Sequence, residues 1–102
     1  MKYANGAMTY HKLSEEELAK GLAEVPGWAV EDGTLARTFT FKTYKDGLVF
    51  AAAVGYEADK LDHHPDMTIG YAKVRVTTVT HDAGALTDVD LTLARLVQRL
   101  AN

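Results

Sequence analysis

Cysteine is absent from this 102-residue chain, which excludes disulfide scaffolds, thiol nucleophiles, iron–sulfur clusters and thiolate-bound zinc, and is the usage a reducing cytosol permits. Proline is almost absent: Pro26 and Pro65 stand alone, so no proline-rich linker or low-complexity tract divides the chain. A basic excess is also lacking. Eleven Lys and Arg against 14 Asp and Glu give a net charge of -3, which argues against a domain that neutralises phosphates and so against direct binding to nucleic acid. The longest nearly apolar run, Gly47 to Tyr56, is about half the ~20 residues a membrane helix needs. With no targeting segment evident, the protein is expected to stay in the cytoplasm and to have no membrane partner.

What is present is an ordinary globular balance, 47% apolar and 25% charged. At this length a folded chain buries about two-thirds of its unfolded surface, enough for one two-layer core but not two. Residues 1–12 show no periodicity and read as an irregular N-terminal segment, with Met8 an alternative start, ahead of a single domain over 13–102. One unevenness stands out: three of the four histidines fall between positions 63 and 81.

Leu13-Ser14-Glu15-Glu16-Glu17-Leu18 carries a capping box and an apolar staple, and Leu18, Leu22 and Val25 continue a helical stripe until Val25-Pro26-Gly27 stops it. Two extended runs follow. Trp28 and Val30, an Asp32-Gly33 turn, and then Leu35, Arg37, Phe39 and Phe41 alternating with Ala36, Thr38 and Thr40 predict a hairpin. A second helix is expected from Thr43, with Asp46 at the capping position and Phe50, Val54, Ala58 and Leu61 on its buried side. Pro65 disfavours helical dihedrals at His64, so this helix must stop near Asp62. Met67, Ile69 and Tyr71 then alternate as a short strand, and Val74 to Thr80 reads as a longer one. After a loop from Asp82 to Leu86, Thr87 and Asp90 cap a last helix that buries Val89, Leu93, Leu96, Val97 and Leu100. The order α-β-β-α-β-β-α predicts an α+β fold, a four-stranded antiparallel sheet with helices packed on one face.

Candidate chemistry rests on the histidines. His11, in the irregular start, reads as a surface residue. His63 and His64, held extended between a helix end and a proline, suit either a solvated loop or a ligand met from two directions. His81 closes a strand beside a glycine-containing loop, a rigid mount for a reactive group, although an ordinary polar role suits it equally. Imidazole fits proton transfer because its unperturbed pKa, about 6.5, leaves both forms populated near neutrality. Three imidazoles are also able to hold zinc or iron, but no HExxH spacing occurs and adjacent histidines seldom ligate together, so no metal is expected. Asp90 either orients a histidine or simply serves the helix cap. Asp59 and Glu57 read as solvated charges.

Taken together, Pro26-Gly27-Trp28, the run from Asp59 to Asp66 with its His63-His64-Pro65, Tyr71, Thr80-His81-Asp82, and Leu86-Thr87 with Asp90 resemble the pterin-4a-carbinolamine dehydratases. The family pattern is a charged residue four positions before His-His-Pro, an aromatic residue, a histidine ten later and an aspartate nine beyond that; every element is present. The resemblance implies the same α+β fold, assembled into homodimers or homotetramers. It implies dehydration of 4a-hydroxytetrahydrobiopterin to quinonoid dihydropterin and water, without metal or organic cofactor. An aromatic amino acid hydroxylase would be the pathway partner whose spent pterin is recycled. It further implies His63, His64, His81 and Asp90 as catalytic residues, with His63 and His81 as the proton-transfer pair, His64 auxiliary and Asp90 supporting. Asp59, Pro65, Tyr71 and Thr80 are implied as substrate-binding.

Three positions depart from the common family pattern: Met67 for tryptophan, Ala72 for asparagine and Ala85 for glycine. Met67 and an alanine near the His-His-Pro loop are expected to alter the pocket wall and the fit of the pterin side chain. The competing class is a protein-binding module, a transcription-factor dimerisation cofactor or an assembly factor, because family relatives include both. Degenerate relatives of that kind lose members of the histidine set, which is complete here.

Overall fold

The computed structural model describes residues 10–101; Met8, and most of the segment 1–12, lie outside the described residues. Helix α1 (Glu15–Glu24) opens with Ser14 Oγ accepting from the Glu17 N–H and Glu17 Oε1 accepting from the Ser14 N–H, the reciprocal box its sequence encodes. Pro26 and then Gly27, at φ 93°, turn the chain away. Strands β1 (Ala29–Glu31) and β2 (Thr34–Thr40) pair through Asp32 and Gly33, both with positive φ, as a two-residue hairpin demands. Helix α2 (Tyr44–Lys60) is capped by Thr43, whose Oγ1 accepts from the Asp46 N–H. Strands β3 (Asp66–Ile69) and β4 (Lys73–Thr78), a 3-10 turn (His81–Ala83) and helix α3 (Asp88–Ala101) complete the order α-β-β-α-β-β-α.

The sheet runs β1-β2-β4-β3, antiparallel throughout. Leu35, Phe39, Val74 and Val76 form one buried face with Phe50, Ala51 and Val54 of α2 and Leu93, Ala94 and Val97 of α3. Phe39 and Phe50 meet at 4.9 Å between ring centroids. Helix α1 packs on α3 so closely that a Cβ at Gly21 would lie 2.3 Å from Leu91 Cδ1. Pairing also begins ahead of residue 13. The Asp88 N–H reaches His11 O, the His11 N–H reaches Asp88 Oδ1, and Lys12 bridges Thr87.

Several local expectations are corrected. Tyr71 is not in a strand: β3 stops at Ile69, because the Gly70 N–H bonds to Lys73 O at 2.8 Å and closes a turn at Tyr71-Ala72. Strand β4 ends at Thr78 rather than Thr80, since Thr80 leaves the ladder to bridge Ala85. His81 therefore opens the 3-10 turn instead of closing a strand. Leu100 and Ile69 are exposed, lying at the end of α3 and on the edge strand, where little packs over them, whereas Ala36 is buried. Among the described residues no helix is long and apolar enough to cross a membrane.

Candidate active site

The end of α2, the end of β4 and the start of α3 converge to build the site. Helix α2 closes at Leu61, and Asp62, at φ 55°, reverses the chain so that the His63 N–H returns to Ala58 O at 3.3 Å. Pro65 holds His64 extended ahead of β3. On the neighbouring strand, Val74, Val76 and Thr78 alternate inward, so the period of two that packs the valines also drives the Thr78 hydroxyl into the core. Beyond β4, the tight turn at His81–Ala83, completed by Gly84 in the left-handed conformation, presents His81 at the surface.

Asp90, on the first turn of α3, joins these pieces. It is fully buried. Its Oδ2 accepts from the Thr87 N–H at 2.9 Å and from Thr80 Oγ1 at 2.8 Å. Its Oδ1 accepts from Thr78 Oγ1 at 2.7 Å and lies 2.7 Å from His63 Nε2. The carboxylate thus caps its helix with one oxygen and orients a histidine with the other. Burial is the largest single influence on its ionisation and opposes the charged form. Hydrogen bonds from His63, Thr78, the Thr87 N–H and Thr80 outweigh it and hold the carboxyl below its ordinary value.

An ionised Asp90 assigns the network's protons. It can only accept, so His63 Nε2 carries a hydrogen and Nδ1 is the nitrogen left to exchange a proton. Thr80 Oγ1 gives its hydrogen to Asp90 and receives one from Thr87 Oγ1 at 2.7 Å, while Thr87 Oγ1 accepts from the Val89 N–H.

Asp62, His63, His64, Val79, Thr80, His81 and Asp82 line one open depression. All three late histidines are therefore at one place, although they differ in setting. His63 is buried, while His64 and His81 are exposed. His64 Nε2 lies 3.0 Å from Asp59 Oδ1 in an exposed pair, which places Asp59 at the rim through His64. Pro65 shapes the loop without lining the depression.

Tyr71 is not brought here. It sits at the far end of the β3–β4 hairpin, 77% exposed and stacked on Tyr44 at 6.4 Å. Met67, expected in the pocket wall, instead packs on the core beside Gly55 of α2, and Ala72 belongs to the distant turn. Sequence reasoning missed Asp62, Thr78 and Asp82. Thr78 was detectable as the polar member of an inward-facing triplet, and Asp62 as an aspartate at a helix end that favours glycine. Among the described residues no group of three His, Asp or Glu side chains has metal-ligand geometry.

The family model for pterin 4 alpha carbinolamine dehydratase matches residues 11–100. Curated relatives include a protein of Thermomicrobium roseum, 37% identical over 91 residues, and one of Sulfurisphaera tokodaii, 39% identical over 89 residues. The matches cover 89% and 87% of this chain and 98% and 96% of the relatives, both of which are named "Putative pterin-4-alpha-carbinolamine dehydratase". Among solved structures, a Brucella melitensis transcriptional coactivator/pterin dehydratase aligns with a TM-score of 0.85 and 33% identity, covering 90% of this chain and all of that one. A pterin dehydratase-like protein described as a RuBisCO assembly factor aligns with a TM-score of 0.60 and 21% identity over 74% of this chain and 87% of its own, a likeness of fold alone.

Proposed function

This chain belongs to the pterin 4 alpha carbinolamine dehydratase family, and from that premise we propose that it dehydrates a 4a-hydroxytetrahydropterin by imidazole acid–base catalysis. The observation that carries the reading is the single depression lined by His63, His64 and His81, with His63 anchored on the buried Asp90. In the reaction the C4a–O bond breaks and the oxygen leaves as water with an added proton. N5 gives up its proton and the C4a=N5 double bond forms. One acid and one base suffice.

His63 is the base. Its Nε2–H is fixed on Asp90, so Nδ1 receives the N5 proton and the carboxylate stabilises the imidazolium that results. His81 is the acid at the leaving oxygen, and its exposure lets solvent restore its proton. His64, oriented by Asp59, assists binding. The substrate is biopterin-like and supplied by a hydroxylating enzyme, and copies assemble into dimers or tetramers, a mass that light scattering measures directly. The complete histidine set favours this reading over a purely protein-binding role.

Purified protein is expected to accelerate dehydration of 4a-hydroxytetrahydropterin generated by a coupled hydroxylase. His63→Ala and His81→Ala should each lower kcat on the order of 10²-fold or more. A wild-type protein that gives no acceleration refutes the reading.

A further inference from the structure

Thr78 and Thr80 both turn their hydroxyls onto Asp90, at 2.7 and 2.8 Å. Along an extended chain alternate side chains share a side, so Val79, between them, faces the opposite way and lines the depression. Both of its neighbours are buried and hydrogen-bonded, and a β-branched side chain is stiff about its first torsion. Val79 is therefore a fixed, half-buried piece of wall. Among the described residues that line the depression it is the only one with an aliphatic side chain, and the proton transfers give it no part.

Its place in the chain indicates which part of a substrate it meets. Thr78 Oγ1 lies 3.0 Å from His63 Nε2, and His81 follows two residues after Val79. The valine thus comes between the anchor of one proton-transfer imidazole and the other imidazole itself. A pterin set with its C4a–N5 bond at His63 and His81 has the C4 carbonyl flanking C4a on one side and C6 flanking N5 on the other. A carbonyl oxygen laid against the valine methyls would lose its hydrogen bond to water without replacement. C6 and C7, by contrast, are the two positions on the ring edge that carry no hydrogen-bonding atom. The apolar wall therefore matches C6 and the group attached to it.

The first atom of that group decides the fit. The next hydroxyl along the wall, on Thr80, is already committed to Asp90 and Thr87. A substrate hydroxyl held beside Val79 gains no partner there, whereas an alkyl carbon gains apolar contact. Building on the dehydratase reading, we propose that Val79 is the specificity residue for the C6 substituent, selecting pterins whose first C6 carbon is unhydroxylated, such as a methyl group, over those with a hydroxyl on it. The preferred substrate then shares the ring of biopterin but not its hydroxylated side chain.

The test uses two variants of the full chain. Val79→Thr keeps the branched shape and adds a hydroxyl, and Val79→Ala removes the branch. The probes are 7,8-dihydro-6-methylpterin and 7,8-dihydrobiopterin in fluorescence titrations, with the matching 4a-carbinolamines in steady-state assays. Wild type should bind the 6-methyl ring about tenfold more tightly. The same preference should appear in KM, with kcat for the two substrates within about threefold. Both variants should bring the two affinities to within about twofold of each other, Val79→Thr by gaining affinity for the hydroxylated side chain and Val79→Ala by losing affinity for the methyl group. A purely structural valine would lower the melting midpoint on substitution and leave the ratio of affinities as in wild type. That result, or a wild-type ratio near one, overturns the Val79 assignment and leaves the dehydratase reading standing where wild type dehydrates either substrate. A wild-type protein that binds with the expected preference but accelerates neither dehydration keeps the Val79 assignment and overturns the dehydratase reading. One that neither binds nor dehydrates a pterin overturns both.

Discussion

The two oxygens of Asp90 answer to different neighbours, and this division decides what its loss would do. Asp90→Ala would strand the His63 Nε2–H and the hydroxyls of Thr78 and Thr80 in a buried space. It should cost about 3–5 kcal/mol in urea denaturation and abolish dehydratase activity. Because the folded carboxyl titrates below its ordinary value, the unfolded chain takes up this proton first on acidification. The contribution of Asp90 is therefore complete above the unfolded value of about 3.9 and is lost as pH falls through the lower folded value. Denaturation midpoints measured from pH 5 downward should fall in wild type across that window, and the share due to Asp90 should vanish in the variant. Thr78→Val keeps the shape and removes one donor to the carboxylate. It should cost about 1.5–3 kcal/mol and lower kcat by releasing His63, while Thr78→Ser should recover most of both.

At the scale of elements, helix starts and chain reversals were the most legible features. Ser14 with Glu17, Thr43 with Asp46, and Thr87 with Asp90 encode three helix starts, because a cap is satisfied within four residues and needs no distant partner. Asp32-Gly33 likewise encodes its own turn. Strand ends were less legible. Whether alternation continues past Ile69 or Thr78 depends on what the opposite strand offers, and both ladders end where Gly70 pairs with Lys73 and Thr80 turns to Ala85. Helix-to-helix distance is also invisible locally. An exposed Gly21 in α1 would gain about 1 kcal/mol on replacement by alanine. Here the added Cβ would lie 2.3 Å from Leu91 Cδ1, and overpacking costs about 1–3 kcal/mol. Gly21→Ala should therefore destabilise the protein, seen as a lowered melting midpoint.

For the whole molecule, the segment before α1 is the informative case. His11 and Lys12 lie along the start of α3, holding residues 87 and 88 through the Asp88 N–H, Asp88 Oδ1 and the Lys12–Thr87 bridge. Thr87 in turn holds Asp90. Deleting residues 1–12 should thus cost about 2 kcal/mol for the hydrogen bonds lost, lowering the melting midpoint of a domain this size by about 8–16 °C. A midpoint unchanged within error would show that the strap contributes nothing. The sequence by itself determined the order of elements, the caps, the turn at Asp32-Gly33 and the identity of the imidazoles, since periodicity, capping and spacing are properties of neighbouring residues. Only the tertiary structure decided that His63 is buried on Asp90 while His64 and His81 stay exposed, that Tyr71 lies at the opposite end of its hairpin, and that Asp62 shares a wall with three histidines. Those facts depend on how strands register and where helix ends meet, and contacts between residues 15 to 27 positions apart leave no local trace in a sequence.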